Sequence, residues 1–397
     1  MDLRPEKILL VSYYMPGRGH GGGLRLLDLY SIIRRIHPNI RLDLVAMRFE
    51  PGEVPDKEVV AIFDSIKLVD AGNFSVDGFA SAGVFSKDYD VVDLQYLQSG
   101  RFIQSFRDKN VRKIIFSPME SMVRSLGTIF RDFKVTRACF SEVWQHLNYA
   151  LQELRFTFAA DHVLCVSNGD ARVLRWFRWW GGVSAIETGV SPLEFPEAMG
   201  DEVPARSLLD ERRVIFVAFF GSATNTDALK WYLEEVHALV LAAVPRYRFQ
   251  VVGRGIVPGL IQADAVDVVG EVARIEPCLE GAWVGIAPAL SGAGLRGKIN
   301  QYAIASLPCV ASTLAAAGLA YQDGESICLA GDAAVFAKQC IRLLSYPQEN
   351  MEMGLAARKV CLSHYVWEAK TDQISQLYLR SVAQMPGTID EDGRKER

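Results

Sequence analysis

The sequence predicts an α/β protein made of two doubly wound parallel-sheet domains, on three observations. Short apolar runs alternate with helical patterns along the whole chain, the mark of strand and helix units that feed parallel sheets. The 397 residues are enough for two domains of ordinary size, each with its own core. The third is the stretch PALSGAGLRGKINQYAIASLPCVAST at 288–313. There the apolar strand WVGIAPAL runs into a glycine-rich loop, a helix starts near Lys298, and a second apolar strand, PCVAST, follows, so the loop sits at a strand's carboxyl end.

In chain order the first half offers the strands KILLVSYY, RLDLVAM, SIKLVD, DVVDLQY, RKIIFS, DHVLCVS and VSAIET. The second offers VIFVAFFG, RFQVVGRG, VDVVGEV, WVGIAPA, LPCVAS and SICLAG. Between the sets, SPLEFPEAMGDEVPARSLLDERR has three prolines, many charges and no sustained period, which places a linker near 191–212. The expected division is an N-terminal domain over 1–200, a C-terminal domain over 201–363 and a helical segment over 364–385. The polar tail 386–397, within PGTIDEDGRKER, is expected to be disordered. No internal repeat of fixed period is visible, and a ligand is expected in the cleft between two such sheets.

Half of the residues are hydrophobic, 23% are charged and the formal net charge is −4, which argues against disorder and against nucleic acid as the default partner. The apolar run that opens the chain is too short for a signal peptide or a membrane span, and no other segment reaches about 18 uninterrupted apolar residues. The seven cysteines are scattered without a CxxC pair or histidines at metal spacing, so a reduced, cytoplasmic setting without structural zinc is expected.

The 288–313 loop carries the clearest chemistry. Gly292 and Gly294 let the backbone approach a ligand closely, Arg296 and Lys298 add positive charge, and the helix supplies the free N–H groups and positive dipole end of its first turn. A diphosphate fits such a site. The bland alternative is a solvent-exposed Gly-rich turn, but the position between two buried strands and before a helix favours the anion site.

The blocks GSATNTDALKWYLEEVHALV, RFQVVGRG, VDVVGEVARIEPCLEGAWVGIAPALSGAGLRGKINQYAIASLPCVAST, GLAYQDGESICLAGDAAVFAKQCIRLL and SHYVWEAKTDQISQLY, in this order and spacing, resemble the carboxyl half of family 4 glycosyltransferases of the GT-B fold. The first half is similar to that family through its glycine loop and through ELRFTFAADHVLCVSNGDARVL. The resemblance implies a retaining transferase that takes a sugar from a nucleotide-diphosphate donor without a bound metal. It implies a donor diphosphate on the backbone of Gly292, Gly294 and Leu295 with Arg296 and Lys298 as charged partners, and a helix in WEAKTDQISQLYLRSV that crosses back to the first domain. Fixed cations and N–H dipoles would stabilise the charge of the leaving nucleoside diphosphate as the glycosidic bond breaks.

The chain departs from the family pattern at two places. Members commonly carry two carboxylates eight positions apart around this loop, one near the transferred sugar and one on the ribose; here Ala293 and Gln301 stand there. Gln301 still offers an amide to a ribose hydroxyl, though as a neutral group. Many members have an Arg and a Lys after the first strand of this domain, where this chain has Gly221, Ser222 and Asn225. That leaves Arg296 and Lys298 to carry most of the diphosphate charge.

Other candidates lie outside that loop. In YYMPGRGHGGGLRLLDLYSII the run Gly21, Gly22 and Gly23 opens a helix after the first strand, where relatives close over the donor phosphates and admit the acceptor. The alternative is a tight turn that needs positive φ angles. Arg18 and His20 flank the run as candidates to meet an anionic acceptor, with a simply solvent-exposed His20 as the equal alternative. Glu120, in IIFSPMES, ends a strand and would orient the acceptor hydroxyl or act as base; the competing reading is a helix cap or solvated carboxylate. Arg254, in VVGRG, leaves a strand toward phosphate or base, and Glu271, in VVGEV, marks the neighbourhood of the base.

RVLRWFRWWGG, with Arg175, Trp176, Arg178, Trp179 and Trp180, suits either a membrane interface or interior packing with solvated arginines. The sequence thus predicts a cytoplasmic transferase, soluble or peripherally membrane-bound, of a hexose-type sugar to a hydroxyl of a glycan, glycolipid or small molecule. Two rivals stay open: a nucleotide-sugar epimerase or hydrolase of the same fold, and a catalytically silent subunit, which Ala293 and Gln301 favour.

Overall fold

The computed structural model describes residues 6–18, 21–109, 111–131, 137–190, 211–256, 259, 261, 263–272, 274–291 and 297–379, with helix backbone alone for 128–131 and 137–142. The chain divides into two compact units, residues 1–188 with 370–397, and 189–369. The tail 386–397 and most of the linker segment lie outside the described residues.

The first unit holds a seven-stranded parallel sheet. Its strands are β1 (Lys7–Ser12), β2 (Arg41–Arg48), β3 (Ser65–Asp70), β4 (Val91–Gln95), β5 (Lys113–Ser117), β6 (His162–Cys165) and β7 (Val183–Ala185), ordered β3-β2-β1-β4-β5-β6-β7. The second unit holds six: β8 (Arg212–Val217), β9 (Tyr247–Val252), β10 (Val266–Gly270), β11 (Val284–Ala287), β12 (Cys309–Ser312) and β13 (Cys328–Ala330), ordered β10-β9-β8-β11-β12-β13. Every strand lies on one of the apolar runs, with β2, β8 and β9 extending one or two residues past theirs. The order reverses between β1 and β4 in one sheet and between β8 and β11 in the other, so each has a topological switch point.

The apolar runs are continuous because both sheet faces are covered. In β8, Val214 and Phe216 join one cluster with Phe249, Val251 and Ile286, while Ile215 between them joins another with Val252, Ile299 and Tyr302. Residues two apart share a face, so a strand covered on both sides has no polar phase. In the first unit Leu9 and Val11 pack with Val45, Leu94, Phe116 and Val163. The helix Gly21–Ile36 buries Leu26, Leu29, Ile32 and Ile33 and closes with Arg34 and Arg35, whose charge suits a helix carboxyl end.

Helix entries follow local capping chemistry. Ser167 accepts from the Asp170 amide at the start of Asn168–Phe177, and Asp332 accepts from the Val335 amide at the start of Ala333–Ser345. The segment 364–385 contains the helix Thr371–Tyr378, which belongs to the first unit. There Tyr378 Oη and Tyr30 Oη both donate to buried Asp93, at 2.7 and 2.9 Å, and Gln95 Nε2 adds a third donor. Lys113, buried at the start of β5, donates through Nζ to the Leu377 carbonyl, and burial lowers its pKa to about 8.

Candidate functional site

In the second unit, the switch point brings together side chains that are far apart in sequence. The helix Gly297–Ile304 follows β11 and buries Ile299, Asn300, Tyr302 and Ala303 while Gly297, Lys298 and Gln301 stay half-buried. Lys298 and Gln301, three positions apart, therefore share the outward-facing side of one helix. Lys298 Nζ donates to Asn225 Oδ1 at 3.2 Å and lies 4.4 Å from the centre of the Phe216 ring. Asn225, in the helix Ala223–Trp231 that follows β8, donates through Nδ2 to the Phe219 carbonyl at 2.9 Å. The cation is thus aimed at the loop on the other side of the switch.

That loop is pressed against the one after β9. A Cβ on Gly253 (φ 136°) would lie 1.8 Å from the Ala218 carbonyl oxygen, and one on Gly255 (φ 80°) 2.6 Å from the Gly221 nitrogen. Both positions need glycine for backbone conformation and for space. Arg254, between them, sets its guanidinium 5.0 Å from the centre of the half-exposed Phe219 ring. Its Nε is buried and, among the described residues, has no hydrogen-bond partner.

The geometry joins Lys298, Asn225, Phe219 and Arg254 along the carboxyl edges of the neighbouring strands β11, β8 and β9. Gly292, Ala293, Gly294, Leu295 and Arg296 lie outside the described residues. Glu271 is exposed one residue past β10. Tyr302 was not singled out by sequence, yet it holds the switch open. Its hydroxyl accepts from the Val217 amide at 3.0 Å and donates to the Ile286 carbonyl at 3.3 Å, bridging β8 and β11 where their direct pairing has ended at Ile215 and Gly285. The available signal was its place one turn after Lys298 on the buried side of the helix.

In the first unit, Gly21, Gly22 and Gly23 form the first turn of the helix Gly21–Ile36, and none has the positive φ of a tight turn. Close approach explains Gly22 instead, since a Cβ there would lie 2.4 Å from Tyr96 Oη. Arg18 is engaged by Glu58 through two contacts of 2.9 and 3.2 Å, and His20 lies outside the described residues. Glu120 stands three residues beyond the end of β5, exposed, and accepts from Ser125 Oγ at 3.3 Å. The buried carboxylate near it is Glu153, which accepts from the Val123 amide and Ser121 Oγ, and whose pKa burial raises to about 7.

The aromatic run RWFRWW spans the end of the helix Asn168–Phe177. Trp176 is 85% exposed, Trp179 82% and Trp180 53%, so they are not interior packing. Arg178 corrects the surface reading: it is buried and donates to the Thr157 and Asp161 carbonyls, both at 2.8 Å. The exposed cations of this face are Arg172 and Arg175. Trp180 stacks on Phe158, which continues a line of exposed residues, Trp144, Leu151 and Phe158, at seven-residue spacing on the helix Arg137–Ala159. Among the described residues, no helix is long and apolar enough to cross a membrane, and no group of three or more His, Cys, Asp and Glu is placed to hold a metal ion.

Residues 211–346 match the family model for glycosyl transferases group 1. No curated protein sequence matches the chain. Among solved structures it is similar to sucrose-phosphate synthase from Thermosynechococcus elongatus, with a TM-score of 0.72, 19% identity and coverage of 94% of this chain and 98% of that one. It is also similar to Anabaena HepE in complex with UDP and glucose, with a TM-score of 0.66, 13% identity and coverage of 94% and 99%. WaaG, a glycosyltransferase involved in lipopolysaccharide biosynthesis, gives a TM-score of 0.65 at 10% identity, with coverage of 93% and 99%. The two parallel-sheet units thus have the GT-B fold, and the part of the chain that carries Asn225, Arg254 and Lys298 is the part that the group 1 glycosyltransferase model matches.

Proposed function

We propose that this protein is a retaining glycosyltransferase of family 4 that moves a hexose-type sugar from a nucleoside diphosphate to a hydroxyl of a glycan, glycolipid or small-molecule acceptor. The observation that carries the reading is the Lys298–Asn225 contact across the β8/β11 switch, inside the segment matched by the group 1 model. A cation fixed there, at the start of a helix, suits the charge that grows on a departing diphosphate. In this reading Arg296 and Lys298 pair with the diphosphate, the backbone of Gly292, Gly294 and Leu295 lies against it, and Gln301 meets the ribose. Arg254 faces phosphate or base, Gly22 and Gly23 belong to the loop that in relatives closes over the donor phosphates, and Glu120 orients the acceptor hydroxyl or acts as base. The reading assigns no metal ion, since the two cations and the helix supply the counter-charge. The bound UDP of the HepE structure makes UDP-sugars the first donors to test.

The same reading places the protein in the cytoplasm at the inner face of the membrane, on the support of Trp176, Trp179, Trp180, Arg172 and Arg175, because tryptophan with arginine suits the lipid headgroup region. The second reading, a catalytically silent subunit, is favoured by Ala293 and Gln301 where two carboxylates are usual. A product assay with UDP-sugars decides. Acceptor-dependent transfer with the donor's anomeric configuration kept supports the first reading, and nucleotide binding without turnover for any acceptor supports the second.

A further inference from the structure

Three adjacent strands of the first sheet, β2, β1 and β4, each end in an aromatic residue at the carboxyl edge: Phe49 directly after β2, Tyr14 two residues after β1, and Tyr96 directly after β4. Tyr14 stacks on Phe49, with ring centres 5.0 Å apart and planes 13° from parallel, and Tyr96 meets Tyr14 edge-on at 5.0 Å. Tyr13 braces Phe49 edge-on from within, itself set against Phe74 of the core. Phe49 is nonetheless 47% exposed and Tyr14 39%, so two flat apolar rings are held rigidly at the surface.

The polar groups beside them are poised in an unusual way. Tyr96 adopts φ 72°, a region that a bulky residue avoids and that concentrates at binding sites. Its hydroxyl is buried against Gly22 and, among the described residues, has no hydrogen-bond partner. Ser117 Oγ and Gln95 Oε1, in register on β5 and β4, are buried without partners as well. Buried polar groups are nearly always paired, so three at one sheet edge call for a ligand or water to satisfy them. The cluster lies at the switch between β1 and β4, where open parallel sheets take ligands.

We propose that this edge seats the pyranose ring of a neutral hexoside, the acceptor sugar of the transferase reading on which this inference rests. The apolar face of the sugar stacks on the Tyr14–Phe49 pair, and a ring hydroxyl, both donor and acceptor, reaches Tyr96 Oη. The neutral character follows from the nearby cations: Arg18 is paired with Glu58, and Arg25, whose pKa burial lowers, is tied to the Ile186 carbonyl and Thr188 Oγ1 and already has the buried Asp93 carboxylate close enough to favour its charged form. A sugar phosphate would find its charge unmatched by this set.

The test is saturation-transfer NMR on the full chain without donor, using methyl glycosides of glucose, galactose, mannose, N-acetylglucosamine, fucose and rhamnose, with UDP titrated separately. Wild type is expected to bind at least one glycoside through its ring protons. Tyr14→Ala/Phe49→Ala, whose side chains are exposed enough to lose without unfolding, should weaken that binding tenfold or more and leave UDP affinity unchanged. Tyr96→Phe should weaken it several-fold while keeping the ring contacts. Binding of no glycoside by wild type, equal binding by the double variant, or a loss of UDP affinity in that variant overturns the proposal. Because no donor is present, failure of the transferase reading shows separately, as absence of nucleotide binding.

Discussion

Tyr378 donates a 2.7 Å hydrogen bond to Asp93 across 285 positions of sequence, and this contact anchors the helix Thr371–Tyr378 to the middle of the first sheet. Asp93 is fully buried, and burial raises its pKa despite the three donors that face it. Tyr378→Phe removes one donor and leaves the carboxylate with Tyr30 and Gln95. Denaturant unfolding should show a loss of about 1–3 kcal/mol, and an unchanged midpoint would mean that the contact carries no stability.

Lys298→Ala and Arg296→Ala should each lower donor turnover by about 30- to 1000-fold, the equivalent of roughly 2–4 kcal/mol of transition-state stabilisation. Thermal midpoints should stay near wild type, because Lys298 and Asn225, which accepts from it, are both only half-buried. Wild-type hydrolysis or transfer rates in both variants would remove the phosphate role from this loop.

Gln301 sits one turn beyond Lys298 on the same open side of its helix. Gln301→Glu should preserve or tighten nucleotide binding by on the order of 1 kcal/mol, since a carboxylate accepts ribose hydroxyl protons more strongly, while nearby diphosphate charge opposes it. Calorimetry with a panel of nucleoside diphosphates reads this directly. Binding abolished by the substitution rejects the ribose role, and no binding by either protein ends the transferase reading.

Glu153 gives stability a pH dependence of definite sign. Its carboxyl titrates at about 7 in the fold, against an ordinary 4.5, because it is buried. Between those values the folded chain holds a proton that the unfolded chain has released. Stability from this group is therefore complete below pH 4.5 and is lost as pH rises through 7, on the order of 3 kcal/mol in total. Glu153→Gln, which keeps an acceptor for the Val123 amide, should match wild type near pH 5 and exceed it near pH 8 in urea unfolding. Parallel profiles would place the group's titration elsewhere.

Replacing Trp176, Trp179 and Trp180 by Ser should abolish cosedimentation with vesicles rich in anionic lipid, while the thermal midpoint changes little because all three rings are exposed. Arg172→Glu/Arg175→Glu should weaken the same binding most at low salt. Cosedimentation unchanged in the triple variant would show that this face does not meet lipid.

The interior strands were legible because they are covered on both faces, which turns KILLVS and RRVIFV into nearly continuous apolar runs. The edge strand β10 reads the same way in sequence, yet Val268 and Val269 are exposed, since position in a sheet leaves no trace in a five-residue run. Around the β8/β11 switch, Lys298 and Arg254 were singled out from loop chemistry after apolar strands, whereas Asn225 was named only as standing where the family's Arg and Lys are missing. Tyr14, Phe49 and Tyr96 were not, because three single aromatics in separate loops acquire meaning only when β2, β1 and β4 lie side by side. Arg178 was misleading for the opposite reason: an arginine among tryptophans looks solvated, but its guanidinium satisfies the carbonyls of Thr157 and Asp161 in the interior.

The return of the chain to the first unit has a consequence for synthesis. Asp93 and Lys113 leave the ribosome long before Tyr378 and Leu377, the residues that complete their surroundings. At about 5–20 residues per second, the 285 positions between Asp93 and Tyr378 take roughly 14–60 s to translate. All of residues 189–369 are made in that interval. The sheet encoded second can therefore be finished while the one encoded first still waits, with a buried aspartate and lysine incompletely paired, for the last helix to emerge.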